Sequence, residues 1–546
     1  MESEYTSQSI EHLGMVSAMF EELEIEKVVN QALGYKSGDR IISPGQALKA
    51  MVLNGLGFAS RRLYLSPHFF ENKPVESLFG AGIKASHFND DTLGQALDDY
   101  HSYGVTQLFN LIAIKSVQKL KLKPKTVHDD ITSFHVDGEY NSQETREGEE
   151  AKGLVRISQG YSRDSKPALN QVALELICDH QAGIPIAMTA ISGCENDKSA
   201  FARSVSLHAA QLQSVGVRCV IKDSAGYTAE SLKAMQTAKQ NWIMRVPNTI
   251  KAVKTWLEVA DWYHQVEFKP LLEGYSYQTR EDDYGGVQQR WLLIHSQAAY
   301  LRERESTKKR LAKASQAEQD SLDALRRLEF GCQTDARTAL EKLQKTLKYT
   351  QIQNVEVKTV EHFAKAGRPS KDQKPTRVSY QLEFLTNSQA DTLQKLAWQG
   401  SLFVLASNDL DTVALTDQMI LLEYKQQQKV ESGFGFLKDP MFLASTIFLK
   451  KVQRVMALLM VMTVCLLVYA ALEFRIRQTL HDNKATVPDQ KGKPTSKPTA
   501  RWVFELMLDV HLLRVPQQER LITLNLKREL RNLLRLLGDG YLSAYP

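Results

Sequence analysis

Residues 125–136 read KTVHDDITSFHV, and where this stretch sits decides the fold. It follows Pro124, at the point where helical spacing gives way to β-branched and aromatic residues. Two similar runs come next, QVALELICD at 171–179 and GIPIAMTAISG at 183–193, bounded by Gly, Asp or Asn. Together the three read as an antiparallel meander. Then DKSAFARSVSLHAAQLQSVG (197–216) has helical spacing, and VRCVIKDSA (217–225) is a strand ending in an acid. TAESLKAMQTAKQ (228–240) reads as a helix and NWIMRVP (241–247) as a further strand. The order β-β-β-α-β-α-β predicts an α/β protein.

That order is similar to the ribonuclease H-like fold, in which the first and fourth strands lie side by side. Asp130 on the first strand and Asp223 at the end of the fourth would then converge, although 93 positions separate them. Asp129 competes with Asp130, but strand alternation sends the two to opposite faces, and the D-x-T-S-F pattern begins at Asp130. A third acid lies in LLEYKQQQKVESGFGFLKDP (421–440). On one helix Tyr424, Gln427, Gln428 and Glu431 fall at i, i+3, i+4 and i+7, and Lys438 rejoins that stripe if the helix persists through Gly433 and Gly435. Such a stripe is either a solvated helix face or a carboxylate beside a phosphate-binding strip. Three convergent carboxylates repel one another unless they hold cations, so a cluster of Asp130, Asp223 and Glu431 is expected to bind hard divalent metals through oxygen. Two such ions ~4 Å apart suit in-line attack on a phosphodiester.

The blocks HDDITSFHVDGEY, GYSRDSKPALNQ, VIKDSAGYT, WIMRVP and YKQQQKVESGFGFLKD, in this order, resemble bacterial insertion-sequence DDE transposases. The branch is the one marked by Tyr-x2-Arg-x3-Glu-x6-Lys, the YREK signature. Here it is carried by Tyr424, Gln427 in place of the usual arginine, Glu431 and Lys438. The likeness runs from about residue 126 to 515. It implies a catalytic and metal-binding triad of Asp130, Asp223 and Glu431, with Mg²⁺, or Mn²⁺ as substitute, two per active site. It also implies that Tyr424 and Lys438 meet phosphates at the element ends. Gln427 can donate a hydrogen bond there but brings no charge and no bidentate fork. Lys425 or Lys429 is a candidate to replace the lost cation, and Arg163 and Lys166 in the turn-like GYSRDSKP are further candidate DNA contacts.

The rest of the chain frames this core. Residues 1–122 read as a helical domain for DNA-end recognition, with ISPGQALKAMVLNGLGF entering a helix at Ser-Pro and two helices meeting about Gly104. The core's first part is expected at 123–247. Residues 248–400 read as an α+β insertion, with strand-like VKTWLEVADWYHQVEF and a charged helical hairpin turning at Gly331. The second part of the core, with the catalytic helix and a buried helix, is placed at 401–480. A linker and basic helices fill 481–546. Trp242, Trp256 and Trp262 are read as packing residues, and one tryptophan in the insertion could stack a flipped base.

Composition narrows the classes. From 441 to 546 there are 16 Lys and Arg against 8 Asp and Glu, while the whole chain carries only +5, a basic tail suited to a polyanion. The five cysteines are scattered without a CxxC pair, which argues against a disulfide framework or a structural zinc and for a reducing compartment. Residues 455–472 hold no charge and reach the lower limit of a membrane span, but they are flanked by Lys and Arg on both sides, and a core helix is the favoured reading.

The expected protein is a cytoplasmic, nucleoid-associated bacterial cut-and-paste transposase acting on double-stranded DNA, at terminal inverted repeats and target. It is expected to work as a homodimer through residues 455–472 or the LKRELRNLLRLL helix, with no membrane and no small-molecule substrate. A catalytically inactive, transposase-derived DNA-binding protein is the alternative.

Overall fold

The runs that read as strands from alternation and β-branching pair into one sheet, described here from a computed structural model of the chain. It describes residues 5–58, 65–136, 153–159, 168–260, 268–364, 374–388, 390–438, 449–515 and 520–546, without side chains at 197–198, 388, 390–392 and 428–432. The chain divides into two compact units, one of Met1–Arg245, Asp283–Gln289 and Ser407–Pro546, the other of Val246–Asp282 and Arg290–Ala406.

In the first unit the elements run β1 (Thr126–His135), β2 (Gln171–Asp179), β3 (Pro185–Ser192), α1 (Asp197–Ser214), β4 (Cys219–Lys222), α2 (Ala229–Thr237) and β5 (Asn241–Val246). Their spatial order is β3-β2-β1-β4-β5. β1–β2 and β2–β3 are antiparallel, whereas β1–β4 and β4–β5 are parallel, so the first and fourth strands are neighbours as the element order implied. β2 is buried along its whole length, as a central strand covered on both faces must be. On one face Ile131, Ala173 and Ile191 pack against Ala200 and Phe201 of α1. The opposite face receives α4 (Gln428–Leu437), which follows α3 (Asp417–Lys425) and packs on β1 and on α5 (Val452–Asp482). Lys438, at the end of α4, lies 6.0 Å from the centre of the Phe134 ring, and Phe134 alternates with Ile131.

α5 contains the uncharged stretch 455–472. It is the one helix among the described residues long and apolar enough to cross a membrane, yet 89% of its 18-residue apolar window is buried inside the protein. It packs against the helices Leu13–Glu22, Pro44–Leu56, Asp90–Tyr103 and Val105–Lys119 and against β3. Each Leu, Val or Met so buried contributes about 1.5–3 kcal/mol, which accounts for the composition. The dimer surface expected from residues 455–472 is therefore not there. The helix Arg528–Leu537 likewise turns Leu530, Leu533 and Leu534 inward and leaves Arg528 and Arg535 exposed.

Local signals fix the starts of some N-terminal helices. Ser43 and Gln46 close a capping box before Pro44, and Gly104, at φ 105°, separates the two helices that the sequence placed about it. The terminal regions are not wholly helical, however. The strand Thr6–Ser9 pairs with His511–Val515, which pairs with Arg520–Leu524. Tyr545, buried, donates its hydroxyl to Glu11 O at 2.6 Å and receives Met15 N–H at 3.2 Å. The expected linker at 482–500 contains a short hairpin, Val487–Pro488 with Pro494–Thr495. It is tied down where the Trp502 indole donates to Pro488 O (2.6 Å) and Asp489 accepts from Lys491 and Lys493 backbone N–H.

In the second unit, the strands Glu329–Phe330, Arg377–Ser388 and Thr350–His362 form a sheet. Against it pack the helices Gln297–Arg327 and Gln333–Gln344, through Leu322, Leu325 and Leu340. The charged hairpin is thus helical, although Leu328 is exposed rather than lining it. The strand-like reading of VKTWLEVADW is overturned: Lys251–Val259 is a helix. Its β-branched and aromatic residues suggested a strand, but Val253, Trp256, Leu257 and Ala260 fall at i, i+3, i+4 and i+7, and that period prevails.

Candidate active site

The parallel register of β1 and β4 runs from Thr126↔Cys219 to Asp129↔Lys222. Asp129 and Lys222 point to the α1 face, where their side chains form an ion pair 1% exposed at each end. One step on, the chain at Asp223 is still extended (φ −71°, ψ 171°). Asp130 and Asp223 therefore stand side by side on the opposite face, the α4 face, across a strand gap of ~4.8 Å. Both are half-buried. Ile131 N–H donates to Asp130 Oδ1 at 2.8 Å, whereas Asp223 makes no side-chain cap bond to the turn Ser224–Gly226 that it opens. Asp129, by contrast, is sealed away from solvent.

Glu431 lies on α4, the helix applied to β1 on that same face, and its side chain is outside the described residues. α4 continues through Gly433 and Gly435 to Leu437, and Gly433 lets it approach α5, where an added Cβ would lie 3.3 Å from Leu466. The expected single helix from Tyr424 to Glu431 is corrected. Gln426 N–H bonds Glu423 O and Gln427 N–H bonds Tyr424 O, three-residue turns that interrupt the ladder between α3 and α4. Tyr424 and Glu431 thus belong to different helices, and Gln427 stands at the N-cap of α4. Tyr424 and Gln427 are half-buried, Lys425 is exposed at the end of α3, and Lys438 caps α4 with its N–H on Phe434 O. Arg163 and Lys166 lie outside the described residues. Among the described residues no three His, Cys, Asp or Glu side chains gather closely enough to hold a metal.

Two groups of residues surround the acid pair that sequence reasoning passed over. On the α4 face, His128 is fully buried two positions before Asp130 and stacks on His180 (centroids 5.6 Å apart). His180 Nδ1 lies 3.3 Å from His128 Nε2 and 3.2 Å from Glu423 Oε2. Since Glu423 is on α3, this contact fastens the helix preceding Glu431 to the strand bearing Asp130. On the α1 face, Glu175 of β2 is 1% exposed beside Asp129. Burial, then the Asp129 charge, pushes the Glu175 carboxyl well above the usual carboxylate range. Burial also raises Asp129, against the Lys222 charge that lowers it. Only the acid–base spacing of 93 positions repeated at Asp129 and Lys222 hinted at this pair, and it becomes meaningful only with the register known.

The tryptophans divide. Trp242 is fully buried and meets Tyr227 edge-on, and Trp256 stacks on Arg280 of its own unit, 4.2 Å from ring centre to guanidinium; Trp262 lies outside the described residues.

A domain of unknown function (DUF4277) matches residues 5–114, about one fifth of the chain. No curated protein matches. Among solved structures, the chain is similar to a piggyBac transposase synaptic complex with hairpin DNA, determined by cryo-electron microscopy. That likeness has 11% identity over 98% of this chain and 88% of the other. Its TM-score is 0.37.

Proposed function

We propose that the protein is a DDE transposase with a ribonuclease H-like core, cleaving and joining DNA strands at terminal inverted repeats in a metal-dependent, cut-and-paste reaction. The observation that carries this is the β1–β4 register, which sets Asp130 and Asp223 side by side on the face to which the Glu431 helix is applied. The donor set fits the group it would hold: Asp130 and Asp223 are half-exposed carboxylates, the oxygen ligands that Mg²⁺ or Mn²⁺ takes. Asp130, Asp223 and Glu431 would hold two such ions, which when bound supply an activated water or 3′-hydroxyl and stabilise the leaving oxygen.

The protein's own groups orient the substrate. Lys438 and Lys425 offer cations to the phosphates of the element end, and Tyr424 and Gln427 offer hydrogen bonds. Arg163 and Lys166 remain candidate phosphate contacts on the sequence alone. The chain acts as a dimer that holds two ends together, in the bacterial cytoplasm on nucleoid DNA. A second reading, a transposase-derived DNA-binding protein without catalysis, is favoured by one observation, Gln427 where the signature has arginine. Glu431→Gln separates the two. It is expected to retain end-DNA binding and to lose Mg²⁺- or Mn²⁺-dependent cleavage that the unaltered protein shows. Undiminished cleavage removes Glu431 from the mechanism, and no cleavage by the unaltered chain selects the second reading.

A further inference from the structure

We propose that Lys222 is a positioning residue for the acid pair: anchored to Asp129 across the sheet, it holds the turn after Asp223 and so sets the metal affinity of the site. The inference rests on the proposed function. Its geometry starts at the end of the β1–β4 ladder, whose last pair is Asp129↔Lys222. Asp223 lies one residue beyond the last ladder position, at a place where no strand pairing fixes it. What lies behind it instead is the Lys222 side chain. A Cβ added at Gly226 would sit 3.1 Å from Lys222 Cδ and 3.6 Å from Phe201, so the turn Ser224–Gly226 rests directly on the lysine stem. The ammonium is bound to Asp129 and lies 4.5 Å from the centre of the Phe201 ring. Lys222 thus connects the residue preceding Asp130 to the turn following Asp223, through a single buried side chain.

Stability alone does not call for an ion pair here. Replacing a buried pair by apolar residues of the same volume is commonly neutral or stabilising, whereas removing one partner alone is strongly destabilising. Metal ligation is far less tolerant, because ligand oxygens must be held to about half an ångström and their supporting residues govern affinity by 10–100-fold. A clamp at the far side of the two acids is suited to that demand.

The test uses the full-length chain, with Mn²⁺ affinity read by electron paramagnetic resonance and folding by near-ultraviolet circular dichroism and urea midpoint. Asp130→Asn, which should abolish the tight Mn²⁺ signal, locates the site independently of the clamp. Lys222→Met is expected to lose stability and to weaken Mn²⁺ binding at least tenfold. The neutral pair Asp129→Asn with Lys222→Met is expected to regain most of the stability while Mn²⁺ binding stays at least tenfold weaker. Gly226→Ala, which presses on the lysine stem without changing a charge, is expected to weaken Mn²⁺ binding as well. A double variant with Mn²⁺ affinity within twofold of the unaltered protein overturns the positioning role and leaves the proposed function standing. Absence of Mn²⁺ binding by the unaltered protein overturns the proposed function and this inference with it.

Discussion

Asp130→Asn should make the metal-free protein more stable and the metal-loaded protein less so. The two acids face each other across ~4.8 Å of sheet. With the charges ~5 Å apart and half-exposed, an effective dielectric between about 20 and 80 gives a repulsion of about 1–3 kcal/mol. Asparagine removes that repulsion, and its Oδ1 still accepts from Ile131 N–H, now at 2.8 Å. For a unit of this size the unfolding entropy is ~0.8 kcal/mol per kelvin, so the expected rise in Tm in EDTA is about 1–4 °C. Metal reverses the ranking, since a ligand at 100 times its Kd adds ~2.7 kcal/mol to a protein that binds it and nothing to one that does not. Thermal unfolding of both proteins, in EDTA and in a Mn²⁺ series, reads out the crossing. If Asp130→Asn melts lower in EDTA, or gains as much from Mn²⁺ as the unaltered chain, then the two carboxylates do not share a site.

Three further expectations follow from other residues. Gln427→Arg restores a cation at the α4 N-cap, and filter binding of end DNA should show higher affinity with a salt slope steeper by about 0.9. Glu423→Ala frees α3 from His180, a contact between side chains 24% and 22% exposed, whose loss should cost about 1–3 kcal/mol by urea titration. The same change should reduce cleavage more than tenfold at unchanged end-DNA binding, because the Glu431 helix follows α3. His208, buried and hydrogen-bonded to Thr189 at 2.7 Å, is pushed by burial from 6.5 down to about 4. The unfolded chain therefore takes up a proton that the folded chain refuses between those values, and stability falls as pH drops from 6.5 toward 4, by up to about 3 kcal/mol. His208→Gln should flatten that slope by as much as ~1.4 kcal/mol per pH unit in urea midpoints taken across the window.

What could be read from the chain depended on how local each signal was. That the strands bearing Asp130 and Asp223 are neighbours was legible, because the element order assigns neighbours between strands. The Asp129–Lys222 pair was not, because it depends on register, which no short window of sequence contains. Lys251–Val259 misled through composition, where Val253 and Trp256 suggest a strand one residue at a time and a helix only when their spacing is counted. The break at Gln426 and Gln427 was hidden because both residues suit a helix interior, and only the three-residue hydrogen bonds reveal the turn. The sheet joining Thr6–Ser9 to His511–Val515 lay beyond any local reading, since 502 positions separate Ser9 from its partner His511.

That last sheet and the buried Tyr545 have a consequence for biosynthesis. The helices within 13–119 emerge from the ribosome well before α5, Tyr541 and Tyr545, which pack on them. At about 5–20 residues per second the interval from residue 120 to Tyr545 is roughly 20–90 s. Throughout it the first helices present greasy, unfinished surfaces. Nascent chains stalled before α5 should therefore engage chaperones through their leading segment, and a message cut short would yield a sticky fragment in place of a free-standing N-terminal piece.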